Sequence, residues 1–75
     1  MATKKHDQEF LGERLIDLRR KKGLSQLALA TYAGVDRKTI NRIENGWFSP
    51  NLTTLNAITI VLGTTPSAFL KGVAL

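Results

Sequence analysis

Two short apolar-periodic stretches separated by only three residues, Gly34, Val35 and Asp36, constrain this chain more than any other feature. Before them, Ser25 can cap a helix from Gln26 to Ala33, with Leu29, Ala30 and Ala33 on its inner face. After them, Asp36 is a strong N-cap for a helix from Arg37 to Asn45, with Ile40 and Ile43 inward. Gly34 breaks the first pattern as a residue needed at positive φ does. Helices joined by so tight a turn must cross closely, and a small residue, Ala30, stands where they do. Val35, Ile40 and Ile43 anchor the second helix to the body of the domain.

The flanks supply that body. Residues 1–6 (MATKKH) are polar and patternless and are expected to form a mobile arm, with His6 solvated. From Asp7 to Lys22, Leu11, Leu15 and Leu18 recur on one helical face. Asp7, Glu9 and Glu13 lie early in that helix and Arg19, Arg20, Lys21 and Lys22 late, matching the helix dipole, and Gly23 is a C-cap candidate. Asn45-Gly46 stops the third helix, and WFSPN reads as a loop. Asn51 can cap a fourth helix, Leu52 to Leu62, with Leu52, Leu55, Ile58 and Leu62 inward and Gly63 at its end. Thr65-Pro66 opens a short fifth helix through Lys71, closed by Gly72. The expectation is an all-α fold of five short helices, a single domain over residues 7–75 of a 75-residue chain.

Composition excludes several classes. No apolar run approaches the ~18–20 residues of a membrane span, and the N-terminus lacks the apolar region of a signal peptide. With zero Cys there is no disulfide or Cys-based zinc site, which fits a reducing cytoplasm. One tail His, no paired carboxylates and no Gly-rich phosphate loop argue against an enzyme, and Ser25, Ser49 and Ser67 read as cap and turn residues. No cofactor and no metal are expected. The formal net charge is +5 and the pI near 10.1, which favours an anionic partner, nucleic acid before an acidic membrane surface. Residues 1–22 carry seven basic side chains, whereas residues 50–75 carry only Lys71. One end is basic and the other apolar, but not as opposite faces of one long helix, so a membrane-surface role fits poorly.

The outer face of the third helix combines Arg37, Lys38, Thr39, Asn41 and Arg42. Arg and Lys can donate to guanine O6 and N7, and Asn can pair with adenine N6 and N7. Two tightly joined helices, the second bearing such a face, form the pattern of a helix-turn-helix whose second helix enters the DNA major groove. The basic run Arg19 to Lys22 suits helix-end electrostatics as well as DNA.

Leu24 to Gly46, LSQLALATYAGVDRKTINRIENG, resembles the Cro/C1-type (XRE-family) helix-turn-helix. The match extends to L-x-x-L-R at Leu15, Leu18 and Arg19, to P-x-L-x-x-L at Pro50, Leu52 and Leu55, and to Leu62-Gly63, covering roughly residues 10–72. The resemblance implies a five-helix lambda-repressor-like domain in a cytoplasmic transcriptional regulator or repressor that binds operators as a homodimer. It places Arg37, Lys38 and Arg42 at base-reading positions, and Thr39 and Asn41 at positions that contact a base or phosphate. Gln26 matches a residue that touches phosphate and braces the recognition helix, and Arg19 and Glu44 match a structural salt bridge. Ser25, Gln26, Trp47, Asn51 and Thr54 complete the expected phosphate-contacting set. The chain departs from the family at Leu27 and Tyr32, usually polar, and at Trp47 and Phe48, often basic. The Trp47 indole can serve a phosphate or cover the core, Phe48 is expected to be partly core, and Lys5 and the arm are expected to supply missing positive charge.

Ile60, Val61, Pro66, Phe69 and Val73 exceed what the inner stripe needs, and with Leu75 they are expected to form a dimer interface, while Leu70 is expected in the core. A two-fold dimer would set recognition helices ~34–36 Å apart on a palindromic site. Two related alternatives remain: an antitoxin-type module that binds a protein partner, a toxin, as well as its own operator, and a restriction-modification controller. No effector pocket is evident, so regulation is expected to follow chain concentration.

Overall fold

The computed structural model describes residues 5–71, with side chains from Glu9 onward. Five helices follow one another: α1 (Lys5–Lys21), α2 (Gln26–Ala33), α3 (Arg37–Glu44), α4 (Leu52–Leu62) and α5 (Pro66–Phe69). Among the described residues there is no strand. Lys5 and His6, read from sequence as arm, are already helical. Asn45 is the C-cap of α3, and α5 stops at Phe69, two residues short of expectation.

Each short helix is closed locally. Ser25 Oγ accepts the Ala28 N–H at 3.0 Å, Asn51 Oδ1 that of Thr54 at 2.8 Å, and Thr65 Oγ1 that of Ala68 at 3.1 Å. Asp36 departs from expectation. It occupies the N-cap position of α3 with extended backbone, but its side chain makes no capping bond. Its carbonyl still receives the Thr39 N–H at 3.0 Å, and an exposed carboxylate beside a helix N-terminus interacts favourably with the dipole. Gly34 has φ 71°, and its N–H and that of Val35 bond back to Thr31 and Ala30, turning the chain within three residues.

α3 is held in the angle between α1 and α2, and α4 packs on α2 and α5. Leu11 and Leu15 of α1, Leu29 and Ala30 of α2, and Ile40 and Ile43 of α3 are buried together with Leu55, Ile58, Leu62 and Phe69. Burying Ile40 and Ile43 contributes roughly 1.5–3 kcal/mol each and leaves Arg37, Lys38 and Arg42 of α3 facing solvent. Val35, Leu18 and Leu70 pack against this core from its edge.

Two expectations about apolar residues are corrected. Leu52, expected inward, is 71% exposed. It is the first residue of α4, and the buried stripe begins one turn later with Leu55, continuing through Ile58, Thr59 and Leu62. Phe69, expected at a dimer interface, is 2% exposed. Pro66 starts α5 so that its single turn folds back against α4, which drives the ring into the core. Arg14 secures that turn from α1, its guanidinium donating to the Ala68 carbonyl at 3.3 Å and stacking over the Phe10 ring.

Candidate nucleic-acid interface

With Ile40 and Ile43 inward, α3 exposes Arg37, Lys38 and Arg42, while Thr39 and Asn41 are half-buried beside them. Arg37 and Lys38 occupy the first turn, where backbone N–H groups lack intrahelical partners and favour an anion. The basic face therefore coincides with the positive end of the helix dipole.

A continuous polar network fixes this face to the other helices. Arg19, at the end of α1, grips Glu44 at the end of α3 through two bonds, Nε to Oε2 at 2.6 Å and Nη2 to Oε1 at 3.0 Å. A third Arg19 bond, Nη1 to the Leu24 carbonyl at 2.8 Å, ties in the loop before α2. The pair is well shielded, its side chains 12% and 4% exposed. The hydrogen bond to Glu44 holds the Arg19 guanidinium above its ordinary pKa; burial opposes this and the Glu44 charge adds to it. Glu44 also accepts Gln26 Nε2 at 2.9 Å, and Gln26 Oε1 receives Asn41 Nδ2 at 3.4 Å. Asn45 Nδ2 then reaches the Asn41 carbonyl at 2.8 Å and Asn41 Oδ1 at 3.2 Å. The first residue of α2 is thereby locked to the outward face of α3.

Other site candidates sit around this network. Ser25, next to Gln26, has an exposed hydroxyl whose oxygen is engaged as a cap and whose hydrogen remains a donor. The Trp47 N–H closes on the Arg42 carbonyl at 2.9 Å, placing the indole directly after the basic face, 72% exposed. That exposure decides against core cover. Phe48, expected to be partly core, is 40% exposed. Asn51 and Thr54 pair with each other at the start of α4, Asn51 retaining its amide N–H groups. Among the expected interface residues, Ile60 is 67% exposed, Val61 and Pro66 are half-buried, and Val73 lies outside the described residues.

The family profile described as helix-turn-helix (HTH_3) matches residues 15–69, most of the chain and all of this site. The chain belongs to the XRE, Cro/C1-type helix-turn-helix family. The five-helix lambda-repressor-like fold expected from sequence is the one observed. The chain is 38% identical over 63 residues to a prophage-derived HTH-type transcriptional regulator, YonR, of Bacillus subtilis, covering 84% of this chain but 58% of that protein. The restriction-modification controller C.AhdI from Aeromonas hydrophila superposes with TM-score 0.82 and 33% identity, covering 85% of this chain and 97% of that one. The biofilm regulator SinR, solved in complex with DNA, superposes with TM-score 0.78 and 29% identity, covering 81% of this chain and 98% of that one. A further structure holds SinR together with the protein SinI, with 28% identity, TM-score 0.79, and coverage of 83% of this chain and 61% of that one.

Three residues of this family member escaped the sequence reading. Gly12 lies where α1 crosses the end of α3; a Cβ there would stand 2.5 Å from the Ile43 carbonyl oxygen and 2.7 Å from that of Glu44. A glycine inside a helical pattern was its available signal. Asn45 read only as a helix stop, yet its side chain engages Asn41. Arg14 gave no local signal of its hold on α5, since the carbonyls it bonds lie 54 and 55 residues away. Among the described residues, no His, Cys, Asp and Glu cluster could hold a metal ion, and no helix is long and apolar enough to cross a membrane.

Proposed function

We propose that this chain is a sequence-specific transcriptional regulator that binds a palindromic operator as a homodimer, with α3 in the major groove. The supporting observation is the outward face of α3. Arg37, Lys38 and Arg42 are exposed on a helix whose inner face is fully buried and whose end is braced by Arg19, Glu44 and Gln26. Such a helix meets DNA with little reorganisation, and arginine and lysine there suit guanine edges. Thr39 and Asn41 complete the base-reading set. Ser25, Gln26, Trp47, Asn51 and Thr54 each offer an N–H or O–H donor to phosphate. The DNA complex of SinR supports the same use of this fold.

Ile60 is the centre of the proposed dimer face, with Val61 and Pro66 beside it and Val73 as a further candidate; Phe69 is excluded by its burial. The chain works in the cytoplasm without enzymatic activity or cofactor, and its occupancy of the operator follows its own concentration. The likeness to C.AhdI supports a restriction-modification controller as one specific role for such a regulator.

Selection of bound sequences from a random duplex pool, at fixed salt because phosphate contacts make affinity salt-dependent, tests the proposal. The expected result is a two-fold-symmetric consensus with half-sites about one helical turn apart. Weak, salt-sensitive binding without enrichment would overturn it and favour an antitoxin-type module directed at a protein partner, a toxin.

A further inference from the structure

Resting on the DNA-binding reading above, we propose that Asn41 selects an adenine, and that Gln26 and Asn45 are positioning residues that fix its donor and acceptor ends before DNA arrives. Hydrogen-bond polarity sets the orientation. The Glu44 carboxylate, paired with Arg19, can only accept. Gln26 must therefore turn Nε2 toward Glu44, at 2.9 Å, which leaves Oε1 facing Asn41. An amide oxygen also only accepts, so Asn41 meets it with Nδ2, at 3.4 Å.

The other side of Asn41 is specified independently. The Asn41 backbone carbonyl draws in Asn45 Nδ2 at 2.8 Å, and that same nitrogen lies 3.2 Å from Asn41 Oδ1. Flipping the Asn41 amide would set oxygen against oxygen at Gln26 and N–H against N–H at Asn45. Both neighbours impose one orientation. With these bonds made, Asn41 keeps one N–H and one oxygen lone pair. The major-groove edge of adenine supplies the complement, N7 as acceptor and the N6 amino group as donor. Guanine offers two acceptors, cytosine an amino donor and thymine an acceptor with a methyl group, so none matches both ends. The Arg19–Glu44 pair, remote from the exposed face, thereby sets which end of Asn41 donates.

The test uses the full chain and the duplex defined by random-pool selection. At each consensus adenine, both half-sites are changed to purine, which lacks the N6 amino group, or to 7-deazaadenine, which lacks N7. Affinities are measured for the wild type, Asn41→Ala and Asn45→Asp, after thermal unfolding shows that the variants fold. One symmetry-related adenine pair is expected at which both analogues weaken the wild type and another base costs roughly 5- to 150-fold per half-site. Asn41→Ala should lose discrimination at that pair alone. Asn45→Asp, which can only accept, should lower adenine preference at the same pair and nowhere else, a change that general loss of stability does not produce. If no adenine pair is sensitive to both analogues, the inference is overturned without recourse to a variant. If Asn41→Ala keeps the wild-type preference at every position, the inference fails while the regulator reading stands. An unchanged preference in Asn45→Asp overturns the positioning role of Asn45. Absence of any consensus for the wild type overturns both readings.

Discussion

Glu44 and Arg42 stand two residues apart on α3 and answer to different physics. Glu44 is shielded and accepts from both Arg19 and Gln26, whereas Arg42 is exposed. Removing the carboxylate strands a largely buried guanidinium, and breaking a buried pair from one side costs about 3–5 kcal/mol. Glu44→Ala should therefore lower the unfolding free energy by that amount, measured by urea denaturation; a change below about 1 kcal/mol would mean that water replaces the pair. Pairing raises the Arg19 pKa, so the arginine's share of this contribution is fully present below its unfolded-state value and is lost as pH rises through the folded-state value, in strong alkali. Arg42→Ala should leave stability nearly unchanged. If Arg42 makes a bidentate base contact, it should cost about 1–3 kcal/mol of DNA binding and relax one base position. Equal weakening on all sequences would instead mark Arg42 as a phosphate contact. Sequence alone separates these roles only through the family resemblance, because two charged residues on a polar helix face look alike until burial is known.

Among the elements, boundaries were legible where local chemistry determines them. Ser25 and Gly34 bracket α2, and Asn51 and Gly63 bracket α4, each through a side-chain cap at one end and a left-handed glycine at the other. What the pattern of residues could not convey was how helices meet. Leu52 shares the apolar spacing of α4 but precedes its contact with the core, and Phe69 looked superfluous to the inner stripe until α5 folded back. Gly12 belongs to the same class of information, a helix crossing rather than a helix property. The two glycine types predict different costs. At Gly34 nothing lies within 4 Å of an added Cβ, so Gly34→Ala should lose only the left-handed backbone preference, about 1–2 kcal/mol, with Gly34→Asn recovering part of it. Gly12→Ala gains helix propensity but drives a methyl into two backbone carbonyls of α3. It should destabilise by more than Gly34→Ala and misplace α3. Thermal unfolding of the three variants checks the order; Gly12→Ala at wild-type stability would show that α1 and α3 can part without loss.

For the whole molecule, the charge and apolar asymmetry of the sequence becomes a division of labour. The basic face of α3 and the exposed Ile60 of α4 serve different partners in the proposed regulator, and Ile60 and Phe69 allow dimerisation to be separated from folding. Ile60 is 67% exposed, so Ile60→Asp should leave the monomer within about 0.5 kcal/mol of wild-type stability. An aspartate at the centre of a self-facing patch meets its own copy across the two-fold axis, where like charges repel and lose water. Sedimentation at micromolar concentration should shift from dimer to monomer, and affinity for a palindromic duplex should fall far more than affinity for one half-site. Phe69→Ala provides the contrast. It empties a core position and should cost about 3–5 kcal/mol of folding free energy at any chain concentration. An unchanged sedimentation profile in Ile60→Asp would remove Ile60 from the interface. The half-buried Val61 and Pro66 would then be too little apolar surface to hold two copies together, and the paired recognition helices would have to be aligned by the DNA itself.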